Sequence, residues 1–309
     1  MNPATLTLVH AVLALTLPIA LVGVVNRTKS WWAGRKGPRL LQSAHDLRRL
    51  LGKRPVVSTV ASPLFRVGPY VVLVCSLLAM SMVPLLGSFA PLQFSHDFVA
   101  LAYTLGLARI ALMVSAMDVG SSFEGMGAAR EASFSTLAEP ALFLLIGSVG
   151  AATGMSSFAD LMGHLHTTPH YLWMVLPLVV ALMILLQLEA ARVPVDDPLT
   201  HLELTMIHEV MVLDHSGPDL AAMQYAAALK MTLYAGLIAA LLNPFNPLTE
   251  PALAIAVAVL LMLAVAVVVG CFESLMARLP MRAVPRYALL ASGAALLSML
   301  AVGLGGLQP

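Results

Sequence analysis

Charged side chains make up only 11% of this 309-residue chain, less than half the roughly 25% of a soluble domain. Water is therefore not its main solvent. Cysteine is nearly absent: Cys75 and Cys271 both sit in apolar runs and read as small buried hydrophobes. They are too few to ligate an iron–sulfur cluster or a zinc ion, so no redox centre is expected within the chain. A net charge of +1 gives no bulk argument for nucleic acid. The stretch Met1–Val25 has no Lys or Arg, and the first charge is Arg27. A secretory signal needs a basic segment ahead of its apolar core, so this stretch reads as a retained first membrane helix.

What is abundant is hydrophobic side chain, 59% of the total. A membrane helix needs about 20 mainly apolar residues, and eight stretches qualify, near 5–25, 67–87, 98–117, 135–153, 171–189, 225–245, 252–271 and 288–307. The expectation is an all-α polytopic membrane protein, a single domain over 1–309. The loop 26–66 carries ten Lys or Arg, while 88–97, 154–170 and 246–251 carry none. By the rule that cationic loops stay in the cytoplasm, 26–66, 118–134, 190–224 and 272–287 are cytoplasmic and both termini lie outside.

Three of the cytoplasmic segments hold structure or chemistry. In the first, Leu40, Leu41, Ala44, Leu47, Leu50 and Leu51 form one helical stripe between Pro38 and Lys53, flanked by Arg39, Arg48, Arg49 and Lys53. This suits a helix at the interface, against anionic lipid or a partner; an ordinary amphipathic connector would look the same. The segment 118–134 has Gly120, Gly125 and Gly127, which permit tight turns and close backbone approach, and offers Glu124, Arg130 and Glu131 for pairing across loops. No strand precedes it, so a nucleotide-binding reading fails. The segment 189–219 is acidic and His-rich yet too apolar for a disordered loop. Asp197-Pro198 reads as a helix start, with a helix running to about Asp214 and Ser216-Gly217-Pro218 ending it. On that helix His201, Thr205, His208 and Glu209 share a face that can pass protons, or a polar face bonded to neighbours.

Ionisable groups within the apolar runs mark ion or proton routes. Glu139 breaks the fourth run, and Glu189 ends the fifth just before Arg192, where the two read as an ion pair. Arg109, placed near mid-span, and Lys230, toward a cytoplasmic end, are the available counter-charges. On the outer side, His164, His166 and His170 read as an interfacial polar loop rather than a metal site.

These motifs resemble a known family, the membrane subunit shared by respiratory complex I and the group 4 membrane-bound NiFe hydrogenases, including formate hydrogenlyase. The resemblance rests on RKGPRLLQSAHDLRRLLGK from Arg35 to Lys53, on GMGAAREASFSTLAEP with Arg130 and Glu139, and on Glu-x-x-Arg-x-Pro-x-Asp-x-Pro from Glu189, with Val195 where the family has Phe. It covers nearly the whole chain. It implies docking of a peripheral redox arm, to which Arg35, Arg39, Asp46, Glu124, Arg130, Glu131, Arg192, Asp197 and His201 are assigned. It also implies a proton path, to which Glu139, Glu189, Asp196, Glu203, His208, Glu209, Asp214, Arg109 and Lys230 are assigned. NiFe and iron–sulfur centres are expected in hydrogenase-like large and small subunits and an iron–sulfur subunit, and antiporter-like subunits in the membrane beside it. Leu199 and His201 stand where complex I has two further carboxylates, and the segment after them is longer; both features favour the hydrogenase-4 and formate hydrogenlyase branch over a quinone-binding subunit. A bacterial inner-membrane location follows. A quinone-site membrane subunit of respiratory complex I, a stand-alone ion transporter and a passive anchor remain open alternatives.

Overall fold

The computed structural model describes residues 2–166, 171–196 and 206–305. Among them are eleven α-helices and no strand. In chain order they are α1 (Pro3–Trp32), α2 (Gln42–Leu51), α3 (Pro63–Met82), α4 (Asp97–Asp118), α5 (Ser122–Thr153), α6 (Phe158–Leu165), α7 (Tyr171–Glu189), α8 (His208–Met211), α9 (Gly217–Leu242), α10 (Pro251–Leu275) and α11 (Val284–Gly305). The starts follow familiar chemistry. The Asn2 and Ser62 side chains accept the backbone N–H groups of Ala4 and Leu64, with proline in the first turn of α1 and α3, where its missing donor is no loss.

Among the described residues, seven helices are long and apolar enough to cross a membrane: α1, α3, α4, α5, α9, α10 and α11. The eighth expected span, α7, is an apolar helix of 19 residues. At about 1.5 Å per residue it reaches roughly 28 Å, close to the hydrocarbon thickness of about 30 Å. The protein is thus an all-α polytopic membrane protein. At the centre stands α9: its span is 83% buried, against 28–44% in the other six. It is built from Ala, Gly, Leu and Met and carries Lys230 and Tyr234 inward.

Two expected loops prove to be helical or shorter than read. Residues 122–134 are the first turns of α5, not a connector; Gly120 makes the preceding turn at φ +72°, and Glu, Met, Ala and Arg then favour helix. Conversely, in the described part of the segment, 206–214, the helix expected to reach Asp214 covers the single turn α8, and Val212–Asp214 is a turn. The reason is tertiary. Asp196 Oδ2 accepts the backbone N–H groups of Ile207 and His208 at 3.2 and 2.8 Å. It thereby starts a new helix at His208. Asp197, His201 and Glu203 lie outside the described residues.

Gly127 lets this segment seat. A Cβ there would lie 2.4 Å from Val210 Cγ1 and 2.9 Å from the Ile207 carbonyl oxygen, nearer than packed carbon atoms approach. Gly23 does the same for the first loop, since a Cβ there would meet the Leu40 carbonyl oxygen at 1.9 Å. That contact brings α2 across the end of the bundle, against α1 and α9.

Candidate proton-transfer site

At the centre of the site is Arg109, on α4, 4% exposed. Its Nη1 lies 2.5 Å from Glu139 Oε1, its Nη2 bonds Glu189 Oε1, and its Nε lies 3.2 Å from Glu131 Oε1. One guanidinium therefore gathers carboxylates from two points on α5 and from the end of α7. Its planar fork suits this geometry as a lysine would not. The Glu189–Arg192 pair expected from sequence does not form. A left-handed Ala191 (φ 51°) and a bond from the Arg192 N–H to the Gln187 carbonyl at 3.0 Å end α7 in a Schellman-type turn. Glu189 thus stays with Arg109. Arg192 turns to Glu273 on α10, 3.3 Å away, whose other oxygen lies 2.8 Å from Lys29 Nζ.

The cluster continues toward the loop. His208 Nε2 lies 3.4 Å from Glu131 Oε2, and its Nδ1 lies 3.9 Å from Asp196 Oδ2. Asp196 Oδ1 in turn receives Arg278 Nη2 at 3.1 Å. Asp196, His208, Glu131 and Arg109 thus form an ionisable line between the helix ends and the interior, leading to Glu139 and Glu189.

Two cavities meet this line. The first, of about 310 Å³, lies beneath α2. Its walls include Asp46, Glu189, Arg192, His208, Glu209 and Lys230. The second, of about 500 Å³, opens between α4 and α5 and is lined by Arg109, Glu139, Glu189 and Tyr234 among apolar side chains. Glu189 belongs to both. Glu139 sits at the outer mouth, its side chain 53% exposed, while those of Arg109 and Glu189 are 5% and 8% exposed.

Of the residues assigned to the path, the structure brings together Arg109, Glu139, Glu189, Asp196 and His208, with Lys230 and Glu209 along the first cavity. Asp214 does not join them: it is exposed and offers its backbone N–H, at 3.1 Å, to Glu124 Oε1. Three docking candidates are corrected. Glu124, Glu131 and Arg192 are all buried within the chain, committed to Asp214, Arg109 and Glu273. Arg130 is half-buried and bonds the Met206 carbonyl at 2.8 Å. Arg35 and Arg39 are exposed, and Asp46, half-buried, accepts from Gln42 at 3.0 Å.

Sequence reasoning missed Glu273, Arg278 and His215 as partners. Glu273 lies just past the expected end of its span, and no spacing rule joins it to Lys29 or Arg192. His215 stacks on Phe65 with centroids 3.9 Å apart, and its Nε2 lies 3.1 Å from Ser115 Oγ. That hydroxyl donates to the Phe65 carbonyl at 3.1 Å, so His215 donates to it from Nε2. Burial pushes the His215 imidazole down to about 4, and it is held neutral. On the opposite side, His164 donates to the Asp160 carbonyl at 3.0 Å, while His170 is outside the described residues.

Fold and site together define a multi-pass membrane protein with a buried arginine–carboxylate centre. A family model described as NADH dehydrogenase matches residues 4–302, and the chain belongs to that family. It is 27% identical over 290 residues to formate hydrogenlyase subunit 4 of Escherichia coli (strain K12), covering 90% of this chain and 92% of that one. It is 29% identical over 254 residues to hydrogenase-4 component C of the same organism, covering 80% and 78%. A solved structure, described as the membrane-bound sulfane sulfur reductase (MBS), an archaeal respiratory membrane complex, shares the fold at a TM-score of 0.81 and 18% identity, covering 96% of this chain and 100% of that one. The resemblance read from the loop motifs therefore holds. These relatives are subunits of oxidoreductase or respiratory membrane complexes, so this chain is a membrane subunit of a complex I-like assembly.

Proposed function

We propose that this subunit anchors a group 4 hydrogenase-type complex and carries its proton path, coupling redox chemistry in a peripheral arm to ion movement across the membrane. The observation that carries the reading is Glu189, a buried carboxylate shared by two cavities and held by an arginine that also binds Glu131 and Glu139. A carboxylate reached from both sides accepts a proton from one cavity and delivers it to the other, the usual role of intramembrane acids. On the loop side, His208 is the natural relay: its imidazole stands between Asp196 and Glu131, 3.9 and 3.4 Å from their carboxylate oxygens, and a ring with two nitrogens can take a proton on one side and give one up on the other. A shift of the 206–214 segment under a docked redox arm, met at its surface by Arg35 and Arg39, moves His208 relative to Glu131 and so changes the charge seen by Arg109.

At the far side, Glu139 is half exposed between apolar neighbours. A carboxylate facing hydrocarbon there is costly, which supports an antiporter-like membrane subunit covering that mouth and receiving the proton. The concentration of Lys and Arg in 26–66 supports a cytoplasmic location for the α2 end, with both termini outside an inner membrane. NiFe and iron–sulfur centres belong, on this reading, to partner subunits, since the two cysteines stand on different helices, α3 and α10.

The test is Glu189→Gln in the assembled complex, with hydrogen turnover and ion uptake measured in the same inverted vesicles. Turnover persists and ion uptake per turnover collapses. Unchanged uptake in an assembled complex rejects the path. A quinone in the first cavity is the second reading, favoured by its volume, within the range of small-molecule sites, and by its mix of polar and apolar walls. Retention of quinone by the purified complex, with inhibition by quinone-site inhibitors, would establish it.

A further inference from the structure

The outer flank of α2 and the end of α1 present an unusual combination of side chains. At about 100° per residue, α2 has three faces. Ser43, Asp46 and Leu47 look into the first cavity. His45, Arg48 and Arg49 are exposed on the opposite side. Between them runs the flank of Ala44 and Leu51, and no residue of α2 is fully buried. Leu51 is 64% exposed and, just ahead of the helix, Leu41 is 56% exposed.

At the same end of the bundle, α1 finishes in Trp31, 81% exposed, and Trp32, 53% exposed. The Trp32 indole N–H reaches Cys271 Sγ at 3.3 Å. The whole segment 26–66 has ten cationic residues and a single acid, Asp46, which is already bonded to Gln42. Exposed leucine and tryptophan at the level of a helix end, beside the exposed positive charge of Arg48 and Arg49, match the headgroup layer of a bilayer. There indoles settle, aliphatic side chains enter the acyl region, and Lys or Arg meets phosphate.

We propose that anionic phospholipid binds this flank, with Arg48 and Arg49 on the headgroup phosphates and Leu41, Leu51, Trp31 and Trp32 at the acyl boundary. The bound lipid holds α2 across the first cavity. Placement favours lipid over a soluble partner: the exposed Leu51 lies on the side flank of α2, beside the cationic outer face and not on it, and Trp31 and Trp32 are exposed at the same end of the bundle.

The chain carries three tryptophans, and the third, Trp173, is removed by Trp173→Phe. The full-length variant is reconstituted into phosphatidylcholine vesicles with a fixed fraction of acyl-brominated lipid, either phosphatidylglycerol or phosphatidylcholine. Emission from Trp31 and Trp32 is then recorded. Brominated phosphatidylglycerol should quench more strongly at low salt. The preference should fall by up to about fivefold per cation removed, at roughly 1 kcal/mol each, in Arg48→Gln/Arg49→Gln. Both positions are exposed, so the fold survives, which circular dichroism checks. Equal quenching by the two lipids overturns the proposal, as does a preference unchanged in the double variant. If that variant instead sheds soluble subunits from the complex while its lipid preference stays, the surface is a protein dock and the lipid assignment is wrong.

Discussion

Replacing Arg109 with methionine keeps length and apolar bulk but leaves three carboxylates facing one another. Glu131 and Glu189 are each about 8% exposed at the side chain. At an effective dielectric constant of about 20, a unit pair at about 4 Å is worth roughly 4 kcal/mol, so removal of the guanidinium strips several such terms at once. The loss is capped because the carboxylates protonate instead: keeping a glutamate of ordinary pKa, about 4.3, protonated at pH 8 takes about 5 kcal/mol per group. Breaking a buried pair by deleting one partner costs about 3–5 kcal/mol, and the same range is expected here. The half-exposed Glu139 contributes least. The assay is thermal unfolding of the detergent-purified chain. At pH 8, Arg109→Met should lower the midpoint by roughly 5–10 °C. At pH 5 much of the loss should return, because the acids take up protons. Arg109→Met/Glu189→Gln should recover part of it at pH 8. A single variant as stable as the parent at pH 8, or no recovery in the double variant, refutes the cluster as the site of buried charge.

Gly127→Ala should lose about 1–3 kcal/mol through overpacking against Val210 and Ile207, seen as faster proteolysis of the 206–214 segment. His215, neutral with its imidazole lowered to about 4, makes stability pH-dependent. The folded chain binds fewer protons than the unfolded one between about pH 4 and 6.5, so stability is full above that window. It falls by up to about 3 kcal/mol as pH drops through it; His215→Phe should flatten this part of the profile of melting temperature against pH. Glu273→Gln leaves Lys29 and Arg192 without their shared carboxylate and should cost about 3 kcal/mol, read as a lower unfolding midpoint, whereas the exposed Asp214→Asn should change it by less than about 0.5 kcal/mol.

Much of the architecture was legible in the chain because lipid imposes a one-dimensional rule. Each crossing needs its own run of apolar residues, and those runs can be read without knowing their neighbours. Glu139, Arg109 and Lys230 stood out for the same reason, as ionisable groups in oily sequence. Partnership could not be read this way. Glu189 has Arg192 three residues ahead, and local spacing predicts that pair; the turn at Ala191 and the placement of α4 give it Arg109 instead. Glu124, Glu131 and Arg192 looked available because they lie in polar sequence, and only the packing of α5, α8 and α10 buries them. The short α8 is set by Asp196, eleven residues before its N-cap Ile207 in sequence but bonded to its first N–H.

By itself, then, the sequence determined that this is a bundle of membrane helices with cationic loops on one side and a few acids inside, since hydropathy and charge act residue by residue. Which acid meets which base, and that two cavities share Glu189, was decided by tertiary structure. Electrostatic pairing depends on distances across helices that are far apart along the chain, and those distances exist only once the helices are packed.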